Sequence, residues 1–116
     1  MLAVIFEVIP RDGQIEAYLR TAAALRPQLE RIDGFISIER FQSLTQPDKL
    51  LSLSFWRDEA AIAEWRNFEA HRQAQHAGRD HVFADYRLRI AAVVRDYGMT
   101  ARDQAPADSR HAHEGH

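Results

Sequence analysis

A chain of 116 residues, of which 46% are apolar, 28% charged and 9% aromatic, has the composition of one globular domain and excludes wholesale disorder. It has no cysteine, which excludes a disulfide scaffold, a thiol nucleophile and a zinc–thiolate centre. The formal net charge of −2, without a basic cluster, argues against nucleic acid as a partner, and no apolar run approaches the length of a membrane span. The opening run from Met1 to Glu7 lacks the basic residues of a signal peptide and meets an acid at position 7, so the expected location is cytoplasmic.

Leu2 to Ile9 is rich in β-formers and is closed by Pro10, the pattern of a first strand. Asp12-Gly13 then opens a helix whose apolar positions, Ile15, Tyr18, Leu19, Ala22, Leu25, Leu29 and Ile32, recur with a period of about 3.6 residues. Pro27 lies inside that pattern. It removes a backbone donor and disfavours helical geometry at Arg26, which predicts a kink or a restart. Asp33-Gly34 ends the helix, and Phe35 to Ser43 reads as the second strand. Gln46-Pro47-Asp48 has hairpin-loop chemistry, and Leu50 to Trp56 is the third strand. Asp58 is the expected N-cap of a second helix that starts at Glu59 and continues, with or without a break near Asn67, to about Arg79. Val82 to Asp96 reads as a long last strand. Thr100 to His116 contains no Val, Ile, Leu, Phe, Tyr or Trp, so a domain of residues 1–99 followed by a mobile tail of residues 100–116 is expected.

The order β-α-β-β-α-β is that of the split βαβ, ferredoxin-like motif, an α+β fold with helices on one face of the sheet. The other face would read polar if it met water. It does not. Leu2, Val4, Phe6 and Val8 alternate with Ala3, Ile5 and Ile9; Leu51, Leu53 and Phe55 alternate with Leu50, Ser52, Ser54 and Trp56. Tyr86, Leu88, Ile90, Ala92 and Val94 oppose Arg87, Arg89, Val93 and Arg95. An apolar face of that extent needs a cover, and a second identical chain is the simplest one.

The sequence resembles the antibiotic biosynthesis monooxygenase (ABM) domain family in three places. These are Gly34 at the opening of the second strand, the junction Leu53-Ser54-Phe55-Trp56-Arg57-Asp58-Glu59-Ala60, and Trp65 followed six residues on by His71. The resemblance covers about Leu2 to Met99. It implies a homodimeric α+β barrel with a pocket between sheet and helices in each subunit. Members of this type include cofactor-independent oxygenases of aromatic phenols or quinol precursors, quinol monooxygenases and haem-degrading oxygenases. In the cofactor-free members the substrate supplies the electrons: its phenol is deprotonated and the anion reacts with dioxygen in an apolar cavity, while the protein positions, desolvates and transfers protons.

His71 and His76 are the candidates for proton transfer, because histidine titrates near neutrality; the alternative is two surface histidines on a polar helix. Five residues apart, they do not fall on one helix face, and no His-x-x-x-His pattern occurs, so no metal centre is expected. Trp65 is either core or one wall of the pocket, with Phe55 and Phe6 as further substrate-binding candidates. Glu7 is a possible base if burial raises its pKa; otherwise it is an exposed acid paired with an arginine. Arg87 and Arg89 share a face and either bind an anionic substrate or, the favoured reading, pair with Glu39 across the sheet. His111, His113 and His116 lie in the tail and offer no preorganised metal geometry. In haem-degrading members a tryptophan and a later histidine ligand correspond to Trp65 and His76, but the first-strand asparagine of those members is here Ile5, which disfavours haem. Two readings follow: a small monooxygenase without metal or flavin acting on an aromatic phenol or quinol, or a non-catalytic ligand-binding or stress-related dimeric module.

Overall fold

Period-two alternation in four segments and helical periodicity in two others produce an antiparallel sheet with helices against one face. The computed structural model describes residues 1–75 and 82–114. Along the chain come β1 (Leu2–Pro10), α1 (Ile15–Glu30), β2 (Phe35–Gln42), β3 (Leu50–Trp56), α2 (Glu59–Gln75), β4 (Phe83–Ala92) and α3 (Ala107–Glu114). The strand order is β2-β3-β1-β4, with each neighbouring pair antiparallel. This is the expected α+β architecture. No described helix is long and apolar enough to cross a membrane.

Cross-strand register sorts the side chains onto two faces. Towards the helices lie the rows Phe35–Trp56–Leu2–Ala92, Ile38–Ser54–Val4–Ile90, Arg40–Ser52–Phe6–Leu88 and Gln42–Leu50–Val8–Tyr86. The opposite face carries Ser37–Phe55–Ala3–Ala91, Glu39–Leu53–Ile5–Arg89 and Phe41–Leu51–Glu7–Arg87. The register of β2 shifts between Phe35 and Ser37, a bulge that leaves Ile36 without an opposite number on β3. On the helix side a core forms from Leu29, Trp56, Ala61 and Ile62, flanked by Leu2, Val4, Ile32, Phe35, Ile38 and Trp65. Trp56 is buried, its indole N–H donates to Ser54 Oγ at 2.9 Å, and Phe35 meets it edge-on at 5.3 Å.

The layers are joined where β3 runs into α2. Asp58 caps α2 as expected, its Oδ1 accepting from the Ala61 amide at 3.0 Å. The Arg57 amide donates to Gly34 O at 2.7 Å, and its guanidinium reaches Asp33 at 3.1 and 3.2 Å and Asp58 at 3.1 Å. Gly34 has φ +95°, and a Cβ there would stand 2.9 Å from the Ala61 Cβ. Both the backbone conformation and the close approach of α2 therefore require glycine.

Two expectations change. α1 passes through Pro27 as one helix. Pro27 and Ala23, whose carbonyl loses its helical donor, are both exposed, so water can satisfy that carbonyl. β4 ends at Ala92, opposite Leu2 of β1, rather than at Asp96, and the next amide, Val93 N–H, donates to Met1 O at 3.0 Å. Beyond β4, Ala107–Glu114 form α3, and Ala105 is only 7% exposed. Polar contacts shape this segment: the Asp96 amide donates to Gln104 Oε1, while Arg102 donates to Gly98 O and Ser109 Oγ and lies 5.3 Å from the Tyr97 ring centre. A count of large apolar residues does not register such contacts.

The Arg57 cluster gives a pH prediction. Hydrogen bonds from Arg57 hold the Asp33 carboxyl below the usual range, and the Ala61 amide, then Arg57, do the same for Asp58. A carboxylate depressed in the folded state stabilises above its unfolded pKa, about 3.9 for aspartate, and loses that contribution as pH falls through the folded value. Arg57→Met is expected to melt at a lower temperature than wild type at neutral pH, with the gap narrowing below about pH 4. Thermal melts of both proteins across the acid range check this.

Candidate functional site

α1 packs on β2 and α2 on β3, so the helix layer leans towards one edge of the sheet. Over the other edge, the helix-side residues of β4 stay open among the described residues: Tyr86 is 61%, Leu88 50% and Ile90 39% exposed. Between covered core and open edge lies an aromatic cluster. Phe6 of β1 meets Phe83 at 5.9 Å and Tyr86 at 5.6 Å, and Tyr18 of α1 meets Phe83 edge-on at 5.7 Å. Beneath it, β3 contributes only the small Ser52 and Ser54 to the two central rows.

Charge enters this apolar layer from two elements. Arg40 of β2 lies on the helix side, its guanidinium carbon 5.9 Å from the Tyr18 ring centre, and its Nε is buried without a hydrogen-bond partner. Glu69 of α2 follows Ile62 and Trp65 on the inward stripe of that helix and is half-buried. Burial pushes its carboxyl above the ordinary range, with the charge of Arg40 pulling the other way. Among the described residues the two form no ion pair. The charge of Arg40 acts on Glu69 without a direct pair. An arginine and a carboxylate facing one apolar layer can hold and deprotonate an acidic group there.

The structure separates the residues singled out from the sequence. Phe6 belongs to the aromatic cluster. Trp65 is half-buried against the core and stacks on Phe68 at 5.5 Å with planes 23° apart. Phe55 points to the opposite face, beside Ala3, away from both. Glu7 is also on that opposite face, between two shallow grooves of about 230 and 250 Å³. Arg89 donates to it at 2.9 Å and Lys49 lies 3.4 Å away, and these bonds hold its carboxyl below the usual range, the reverse of what a base near neutrality needs. This pair also replaces the expected pairing of Arg87 and Arg89 with Glu39: β1 and β3 stand between β4 and β2, so Glu39 is out of reach. His71 lies within α2, but its side chain, like the whole of His76, lies outside the described residues. Among the described residues no three metal-binding side chains gather.

Arg40, Glu69 and Tyr18 were not candidates from the sequence. One signal for Glu69 was present: a carboxylate seven residues after Ile62 and four after Trp65 sits on the face those residues bury.

Comparison with known proteins agrees with the fold and narrows the function. The family model for antibiotic biosynthesis monooxygenase matches residues 1–77. A protein of Pyricularia oryzae named jasmonate monooxygenase ABM is 50% identical over 94 residues, covering 81% of this chain. The chain spans 44% of that protein's length. Among solved structures, Rv0793 of Mycobacterium tuberculosis aligns with a TM-score of 0.69 at 18% identity, over 84% of this chain and 98% of its own. PA3566 of Pseudomonas aeruginosa aligns at 0.67 and 20% identity, over 80% and 93%. At these identities the two structures speak for the fold alone.

Trp65 offers a test of the layer's boundary. A fully buried tryptophan replaced by alanine costs about 3–5 kcal/mol. With one edge packed and the other on the open side, Trp65→Ala is expected to cost less, about 2 kcal/mol, and to weaken binding of flat aromatic ligands. A urea melt showing the full core penalty, with ligand binding unchanged, would put Trp65 wholly in the core.

Proposed function

The chain belongs to the antibiotic biosynthesis monooxygenase family, and we propose that it oxidises a small, mostly apolar phenol or quinol with dioxygen, without a resident metal or flavin. The observation that carries this reading is an aromatic layer, open over β4, that contains an arginine with an unpartnered buried nitrogen. Such a layer favours an apolar ring and gives its acidic oxygen one cation to face. The substrate loses a proton, and the resulting anion is electron-rich enough to react with dioxygen. One oxygen atom enters the product, and the second leaves as water with two hydrogens from the substrate. Phe6 and Trp65 are the proposed walls. His71 and His76 remain proposed carriers of protons between this layer and solvent. The relative named for jasmonate points to a substrate of similar polarity, a small apolar body with one acidic group.

Incubation with isotopically labelled dioxygen tests the reading, using dithranol and a substituted hydroquinone as substrates. The expected result is one labelled oxygen atom in a product, without added flavin or nicotinamide and unaffected by a chelator. No incorporation from either would leave the alternative, a ligand-binding or stress-related module using the same layer.

We further propose that a second copy covers the face bearing Phe55, Leu53, Ile5 and Leu51. These residues are only half-buried in one chain, and they run between the polar margins Ser37–Glu39 and Arg87–Arg89. An interface of more than roughly 1,000 Å² is expected for a stable pair. Light scattering at micromolar concentration is expected to give a dimer for wild type and a folded monomer for Leu53→Glu. A wild-type monomer would refute the pairing.

A further inference from the structure

The geometry points to Arg40 and Glu69 as a pair that brackets the acidic hydroxyl of the substrate, Arg40 holding its oxygen and Glu69 receiving its proton. This deepens the oxygenase reading and rests on it. Four observations place the pair. Arg40 and Glu69 come from different layers, β2 and α2, and face the same interlayer space. Arg40 is held over the Tyr18 ring, yet its Nε is buried without a partner among the described residues. Glu69 is half-buried, Arg40 is the one charge among the described residues that acts on it, and the two form no ion pair. The row on which Arg40 stands continues through Ser52 to Phe6, so a ring lying over that serine has an aromatic neighbour at one end and the guanidinium at the other.

A cation and an anion that face one apolar layer without pairing lose hydration without the full return of contact. A neutral hydroxyl between them supplies what each lacks. Its oxygen accepts from Arg40, and its O–H donates to Glu69. On transfer, the substrate O–H bond breaks, a carboxyl O–H bond forms at Glu69, and the negative charge moves from the carboxylate to the substrate oxygen beside Arg40. No net charge enters or leaves the site. A carboxyl raised by burial is the better acceptor for that proton.

This scheme makes a specific demand on pH. The filled site holds one proton shared between Glu69 and the ligand. Binding therefore weakens when Glu69 is already protonated in the free protein, and weakens again when the free ligand is already an anion. Besides Arg40, the titratable groups facing this space from packed elements are, among the described residues, Tyr18 of α1 and Tyr86 of β4; β1 and β3 present Phe6 and Ser52.

The test is equilibrium binding of para-nitrophenol to the full chain across pH, read from the different absorbances of its phenol and phenolate. In wild type, affinity is expected to pass through a maximum and to fall about tenfold on the alkaline side, where two anions would share one cation. In Glu69→Gln that fall is expected to vanish, with affinity rising to a plateau as the probe ionises. Arg40→Met is expected to lose about tenfold at every pH, with Arg40→Lys recovering part of it. Circular dichroism verifies that each variant is folded, and the lysine variant carries the comparison if the methionine variant is not. Identical pH profiles for wild type and Glu69→Gln, undiminished binding in both Arg40 variants, or no probe binding by wild type would each overturn the bracket. Because no turnover is measured, failure of the oxygenase reading would appear separately, as an intact bracket in a protein that incorporates no oxygen.

Discussion

The layers come into close contact where a side chain is missing. Gly34 lets the first turn of α2 approach the start of β2 to a distance at which even a methyl group would strike Ala61. Arg57, the residue between β3 and α2, fastens that approach from both sides, its amide on Gly34 and its guanidinium on Asp33 and Asp58. Asp58 then caps the helix through Ala61. With its first turn fixed, α2 has its rotation fixed too, and Ala61, Ile62, Trp65 and Glu69 turn inward together. The position of a polar group three turns into the helix thus depends on a glycine in another strand.

The sheet beneath makes a complementary choice. A buried central strand is ordinarily filled with branched apolar residues, but β3 places serines at two of its four helix-facing positions. Ser54 is occupied by the Trp56 indole N–H, which lets that tryptophan be buried without an unsatisfied donor. Ser52, itself buried, stands between Arg40 and Phe6, so a small polar residue separates the charge from the aromatic ring. Across the sheet, the same strand turns Leu51, Leu53 and Phe55 to the other face, so one alternating sequence serves both an interior with polar groups and an apolar exterior.

Much of the scaffold was legible in the residues. Alternation gave all four strands, with β3 matching at both ends, and the Asp58 cap located the start of α2. What was not legible depended on partners rather than on the segment itself. β4 extends as far as its pairing with β1, Ala92 opposite Leu2, and Pro27 was tolerated because its side of α1 faces water. The tail drew its structure from an arginine's hydrogen bonds, which composition does not reveal. The site was less legible than the fold. Phe6 and Phe55 are both aromatic strand residues, yet the register sends them to opposite faces. Arg40 gave no signal, because its neighbour in sequence, Glu39, has an equal claim to be the inward charge and only a bulge decides between them.

That bulge amounts to a parity switch. Phe35 lies over the core, and strict alternation from it would turn Ser37, Glu39 and Phe41 inward; the extra residue at Ile36 inverts the count, and Ile38, Arg40 and Gln42 turn inward instead. One residue of slack in an edge strand therefore sets the sign of the electrostatic potential inside the layer. The same residues paired with β3 without the bulge, Ile36 taking the place opposite Phe55, would present a carboxylate where this chain presents a guanidinium, and would favour cationic or neutral guests. Selectivity for charge in such a fold can change with strand register alone, without exchanging a single charged side chain.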